Sequence, residues 1–155
     1  MIKQIIPEEF CLNCRLCCRF VEQDSVWVPR LLDDEKKKLK EDKIKLIFSK
    51  KEGVYFCSFL EPETNKCKIY KDRPFECQLY PFLINLKDKK LFLSLDLNCP
   101  YVKEKLNSSE LQKYIIYLLN FLNTSKKNIL NNPQILNTYK DVLDISPLDF
   151  TYVSK

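Results

Sequence analysis

The 155-residue chain contains no histidine and one glycine, Gly53. Without His there is no Ser-His-Asp or Cys-His catalytic pair, no HExxH zinc site and no His-ligated haem. With a single Gly there is no dinucleotide-binding fingerprint, no P-loop and no kinase Gly-rich loop. Any metal must therefore be held by Cys, carboxylate or backbone oxygen. Long apolar runs are also missing. No window approaches the ~18 residues of a membrane span, so none is expected. The opening stretch MIKQIIPEEF lacks the apolar core and small-residue cleavage site of a signal peptide, which points to a cytoplasmic location. The net charge of +5 is modest, with Lys and acidic residues interspersed. With no nucleic-acid-binding motif beside it, this excess reads as a solvated surface, and nucleic acid is not an expected partner.

What the chain does have is cysteine. All eight thiols lie between positions 11 and 99. In a reducing compartment, thiols in such number are ligands or redox groups before they are a disulfide framework. They read C-x2-C-x2-C-C (Cys11, Cys14, Cys17, Cys18), then Cys57, Cys67, Cys77 and Cys99. The C-x2-C unit is a natural chelate, because the chain can turn to bring both sulfurs within ~2.3 Å of one ion. A third Cys at the same spacing matches bacterial-type iron–sulfur ligation, which a later Cys-Pro completes. Here Cys99-Pro100 supplies that dipeptide, though at far greater separation.

The adjacent pair Cys17-Cys18 is awkward for one ion. Neighbouring side chains point to opposite faces of a strand, or about 100° apart on a helix. The pair therefore serves two centres, or leaves one thiol spare, buried or redox-active. Eight thiolates divide into two four-ligand sites. Basic residues stand beside the thiols. Arg15, Arg19 and Arg73 are the candidates for stabilising the formal charge of about minus two on a four-thiolate zinc or oxidised four-iron centre.

The pattern predicts an α+β chain: a small Cys-rich region of short hairpins and helices, then a C-terminal helical pair. It is read as one domain over 1–155, with the thiol region at 10–101 and helical packing at 108–145. A strand is expected over 20–28, and a helix from the acidic run at 33–35 to about Asp42. Hairpins are expected at 44–48/54–57 and 82–86/91–95. A turn covers 61–66 and a short strand 67–70. A Pro-bounded helical turn carries Cys77. Ser109 and Gln112 fit a capping box. Leu111, Ile115, Leu118, Leu119 and Leu122 follow at helical spacing, with Ile116, Tyr117 and Phe121 widening the stripe. A second helix is expected over roughly 133–142.

Taken together, the C-x2-C-x2-C-C opening, C-S-F-L at 57–60, the run from Cys67 through Arg73-Pro74 and Cys77 to Tyr80-Pro81, and the late Asn98-Cys99-Pro100 are highly specific. Over residues 10–101 the chain resembles the CxxCxxCC family, also called YkgJ-like, which is described as zinc- or iron-chelating. The resemblance implies a metal centre, with all eight cysteines at family positions, and no defined reaction. Arg15 departs from the pattern, because the family often has Gly after its second Cys.

Three functions compete. The first is an iron–sulfur protein, of 4Fe-4S type, with a redox, electron-transfer or protein-modification accessory role and an unidentified protein or redox partner. This is favoured by soft thiolates without His. An enzymatic role as an iron–sulfur oxidoreductase stays open. The second is a zinc-stabilised structural or interaction module with four-cysteine sites. The third is a thiol–disulfide protein using Cys17-Cys18 or a C-x2-C pair.

Overall fold

The computed structural model describes residues 1–151 and shows a mixed α+β chain of helices and small antiparallel sheets. The chain packs as two compact units, one formed by Ile6–Gln78 and the other by Met1–Ile5 with Leu79–Lys155.

The first unit is built from short elements. Helix α1 (Glu8–Cys14) opens with two acidic residues, which suit the positive end of the helix dipole, and ends at Arg15 in the left-handed conformation. Strand β1 (Arg19–Phe20) follows, then α2 (Asp33–Leu39). The hairpin of β2 (Leu46–Ser49) and β3 (Val54–Cys57) turns at Gly53, whose φ of 68° is open to glycine without steric cost. The three strands form a sheet in the order β1-β3-β2, with Arg19 opposite Phe56 and Leu46 opposite Cys57. A second, two-stranded ladder joins β4 (Leu60–Glu61) to β5 (Lys66–Cys67). Helix α3 (Phe75–Leu79) closes the unit.

The expected strand over 20–28 is pared to two residues. Beyond Phe20 the backbone bonds to itself and to a local hydroxyl: Val28 N donates to Ser25 O at 3.1 Å and Trp27 N to Ser25 Oγ at 3.3 Å. Such local partners replace a ladder.

The second unit contains the hairpin β6 (Phe82–Lys87) and β7 (Lys90–Leu95). Its turn residues Asp88 and Lys89 both have positive φ, as a two-residue primed turn requires. Helices α4 (Pro100–Lys105) and α5 (Ser109–Leu130) come next, then β8 (Leu143–Thr151), giving sheet order β6-β7-β8. Leu91, Leu93 and Leu95 of β7 are fully buried, as are Leu111, Leu118 and Leu122 of α5. Tyr114 of α5 sets its ring 5.6 Å from that of Phe82.

Helix α5 lies where its periodicity placed it, with two adjustments. Its cap is Ser108, whose Oγ accepts from Leu111 N at 3.1 Å, and Ile116 faces solvent. The helix expected at 133–142 shrinks to one 3-10 turn, Pro133–Ile135, and a strand stands in its helical partner's place. That strand carries Pro147, which an edge strand tolerates, and its register slips twice along β7.

Candidate metal centre

Four separate segments of the first unit carry thiols within electrostatic reach of the Cys17 sulfur. Cys11 and Cys14 lie three residues apart on α1, hence on one helical face. Cys17 and Cys18 form the turn between α1 and β1, neither in a helix nor in a strand. Cys57 ends β3, and its N–H donates to Cys18 O at 3.1 Å, extending the ladder by one pair and fixing these two residues side by side. Cys67 ends β5, and Cys77 lies in α3. The eighth thiol, Cys99, belongs to the second unit, where it is buried at the N-cap of α4.

Side chains outside the thiol motif hold this arrangement. Asn65, in the left-handed conformation at the β4–β5 turn, donates from Nδ2 to Leu12 O at 2.8 Å and to Cys11 O at 3.1 Å. Its Oδ1 accepts from Arg19 Nη1 at 2.6 Å. One amide thus ties the thiol-bearing helix to the turn before Cys67 and to the arginine after Cys18. Glu35 does a comparable job for Cys77: its carboxylate accepts from Phe75 N at 2.6 Å and from Leu32 N at 2.8 Å, capping α3 and α2 together. Burial pushes the Glu35 carboxyl upward. Neither residue stands out in the sequence. The turn at 61–66 was legible, but nothing marks Asn65 as the residue that bonds back across about fifty positions.

The electrostatics are those of crowded thiols. Burial raises Cys57, Cys67 and Cys14, with neighbouring thiols adding to it and backbone N–H groups opposing it. Burial drives Cys77 well above the usual thiol range. The Cys17 and Cys18 sulfurs are 4.0 Å apart and share a proton. Accepting that bond lowers Cys17 to about 7, helped by the guanidinium groups of Arg73 and Arg19, whereas Cys18 retains its proton and is pushed up. Arg73 also lowers Cys67 and stacks 4.1 Å over the Tyr70 ring. Arg15 is exposed at the end of α1.

The donor set fits a metal. Thiolates bind soft or borderline cations, and a cation among these sulfurs would favour the deprotonated form that burial opposes, so loading must release protons. Arg19 adds a second sign: its Nη2 is buried with no hydrogen-bond partner among the described residues. Among the described residues, no three Cys, Asp or Glu side chains stand in ready coordinating positions, so ligation requires the thiols to close in. Among the same residues, no helix is long and apolar enough to cross a membrane.

A set of soft thiols drawn from several chain segments is the mark of a metal-chelating Cys-rich domain. The chain belongs to the CxxCxxCC family, described as a "Putative zinc- or iron-chelating domain", whose model matches residues 10–112. It is also similar to the uncharacterized protein MJ0661 of Methanocaldococcus jannaschii, with 46% identity over 41 residues, which is 26% of this chain and 22% of that protein. The chain therefore aligns with about a fifth of that relative's length. No solved structure matches it significantly.

Proposed function

We propose that the thiol cluster of the first unit holds an iron–sulfur centre of the four-iron type and that the protein serves in electron transfer or as an accessory to protein modification. The observation that carries this reading is the clustering of Cys14, Cys17, Cys18, Cys57, Cys67 and Cys77, thiols linked through Cys17 into one electrostatic network, with two guanidinium groups beside it. Such a set supplies more than the four thiolates that either a structural zinc ion or a four-iron cluster uses, and soft thiolates without any imidazole suit the cluster. Cys11 shares a helical face with Cys14 and completes the N-terminal chelate, and Cys99 is kept as a further ligand to be tested. Such a centre would supply one-electron chemistry; the chain's own contribution is to gather the thiols, offset their charge with Arg19 and Arg73, and bury Cys77.

Zinc is the second reading. It is favoured by the 4.0 Å between the Cys17 and Cys18 sulfurs, close to the edge of about 3.8 Å that a tetrahedron of 2.3 Å zinc–sulfur bonds implies. Anaerobic purification and reconstitution with iron and sulfide, followed by metal and sulfide analysis and optical and EPR spectra, separate the two. We expect a brown protein with iron and sulfide in equal amounts, lost in Cys77→Ser. A colourless protein that retains only stoichiometric zinc after the same treatment would overturn the iron–sulfur reading.

A further inference from the structure

We infer that Arg19 is a positioning residue of the metal centre, its Nη2 donating a hydrogen bond to a sulfur of the bound thiolate centre. The inference rests on the metal-binding reading above, for either metal. Arg19 follows Cys17-Cys18 directly in the chain, and every other polar position of its fork that the hydrogen-bond pattern resolves is fixed. Its Nε donates to Glu52 Oε2 at 3.1 Å and its Nη1 to Asn65 Oδ1 at 2.6 Å. The side chain is only 11% exposed, so the fork is clamped on two sides within the unit. Among the described residues, its Nη2 alone of the fork is buried without an acceptor. A buried guanidinium N–H left unpaired is costly, and native structures rarely keep one unless an acceptor arrives from elsewhere.

The anion nearest in kind is the thiolate set itself, since the Arg19 charge already acts on the Cys17 sulfur. Metal binding converts those thiols to thiolates and gives the site its net negative charge, which creates the missing acceptor. Lysine could not replace this arrangement. Its ammonium is a single point, whereas the planar fork of Arg can bond Glu52, Asn65 and a sulfur at once.

The test is metal affinity by competition with a chromophoric zinc chelator, made on the full chain, together with the reduction midpoint of the iron-reconstituted protein. Arg19→Met keeps most of the side-chain volume. It is expected to weaken zinc binding by about ten- to a hundredfold, the usual cost of losing an outer-shell partner. In the iron form it should move the midpoint to more negative potential, because the more negatively charged reduced state loses a donor and a cation. Arg19→Lys, which keeps the charge and is the variant to use if Arg19→Met does not fold, should recover only part of each effect. Zinc affinity within threefold of wild type in Arg19→Met, or full recovery of both readouts in Arg19→Lys, overturns the inference while leaving the metal centre standing. A wild-type chain that takes up neither metal overturns the metal-binding reading and this inference with it.

Discussion

Replacing Asn65 with Ala removes three hydrogen bonds and leaves a β-carbon in a left-handed conformation, at φ 58°. The two bonds to the Cys11 and Leu12 carbonyls are neutral and contribute about 1 kcal/mol each. The bond from Arg19 involves a charged donor and contributes about 1.5–3 kcal/mol. Asn65 is half-buried, so water recovers part of this, and the net loss expected is about 2–4 kcal/mol. Against a typical domain stability of about 5–15 kcal/mol, that is a large fraction. Trp27, the only tryptophan in the chain, lies in the same unit and makes its fluorescence the natural probe of urea unfolding. The midpoint should fall by on the order of 1 M or more for the metal-free protein. Asn65→Gly separates backbone from side chain. It loses the same three bonds but relieves the left-handed strain, so it should be more stable than Asn65→Ala by about 1 kcal/mol. A midpoint for Asn65→Ala within about 0.3 M of wild type would refute the assignment of Asn65 as the tie between α1 and the β4–β5 turn. An Asn65→Gly variant weaker than Asn65→Ala would refute the backbone part of the argument.

Arg15→Gly should stabilise the metal-free protein by about 1 kcal/mol in the same urea assay, because Arg15 ends α1 at φ 56° and glycine meets no steric cost there. Asp144 of β8 accepts from Ser94 Oγ at 2.6 Å and from Asn85 Nδ2 and Lys87 Nζ at 3.2 Å, which hold its carboxyl below the ordinary 3.8. A depressed folded pKa means that its contribution is full above the unfolded value and is lost as pH falls through the folded one. Thermal melts of wild type should therefore lose stability relative to their neutral value below about pH 4, and Asp144→Asn, destabilised by about 1–3 kcal/mol at pH 7, should show less of that acid-dependent loss.

The two hairpins and α5 were legible because each carries a local signal strong enough to stand without tertiary help. Lys50–Gly53 and Lys87–Lys90 supply turn chemistry between apolar runs, and the Leu111–Leu122 spacing keeps helical phase. The chelating class of the chain was legible for the same reason, since the Cys spacing carries the family pattern directly. What failed depended on partners distant in sequence. The strand β8 looks irregular in isolation, with Pro147 and two Asp among its nine residues, and becomes a strand only by pairing with β7 across the length of α4 and α5. Asn65 and Glu35 were invisible because their roles are set by carbonyls and N–H groups that folding brings to them from positions 40 and more residues away. The glycine that the family often places after its second Cys is explained by a torsion angle: Arg15 occupies a left-handed helix cap.

The adjacent pair Cys17-Cys18 shows how the choice of element changes a coordination argument. On a strand their sulfurs would diverge to opposite faces, and on a helix they would splay by about 100°, so a single ion could not take both without strain. The chain avoids both cases by ending α1 at Arg15 and beginning β1 at Arg19, which leaves the pair in a turn. There the sulfurs approach to 4.0 Å, so replacing the protons of both thiols with one shared cation needs little movement of either. Ligation of two irons in one cluster, or of two separate ions, would require the sulfurs to part, because each metal adds its own bond length between them. The turn therefore permits chelation of a single metal atom by both thiols, and Arg19 is clamped directly behind them by Glu52 and Asn65. Under the zinc reading the pair is one edge of the tetrahedron. Under the iron–sulfur reading the two sulfurs must part, so that one thiol or the other turns away from its neighbour.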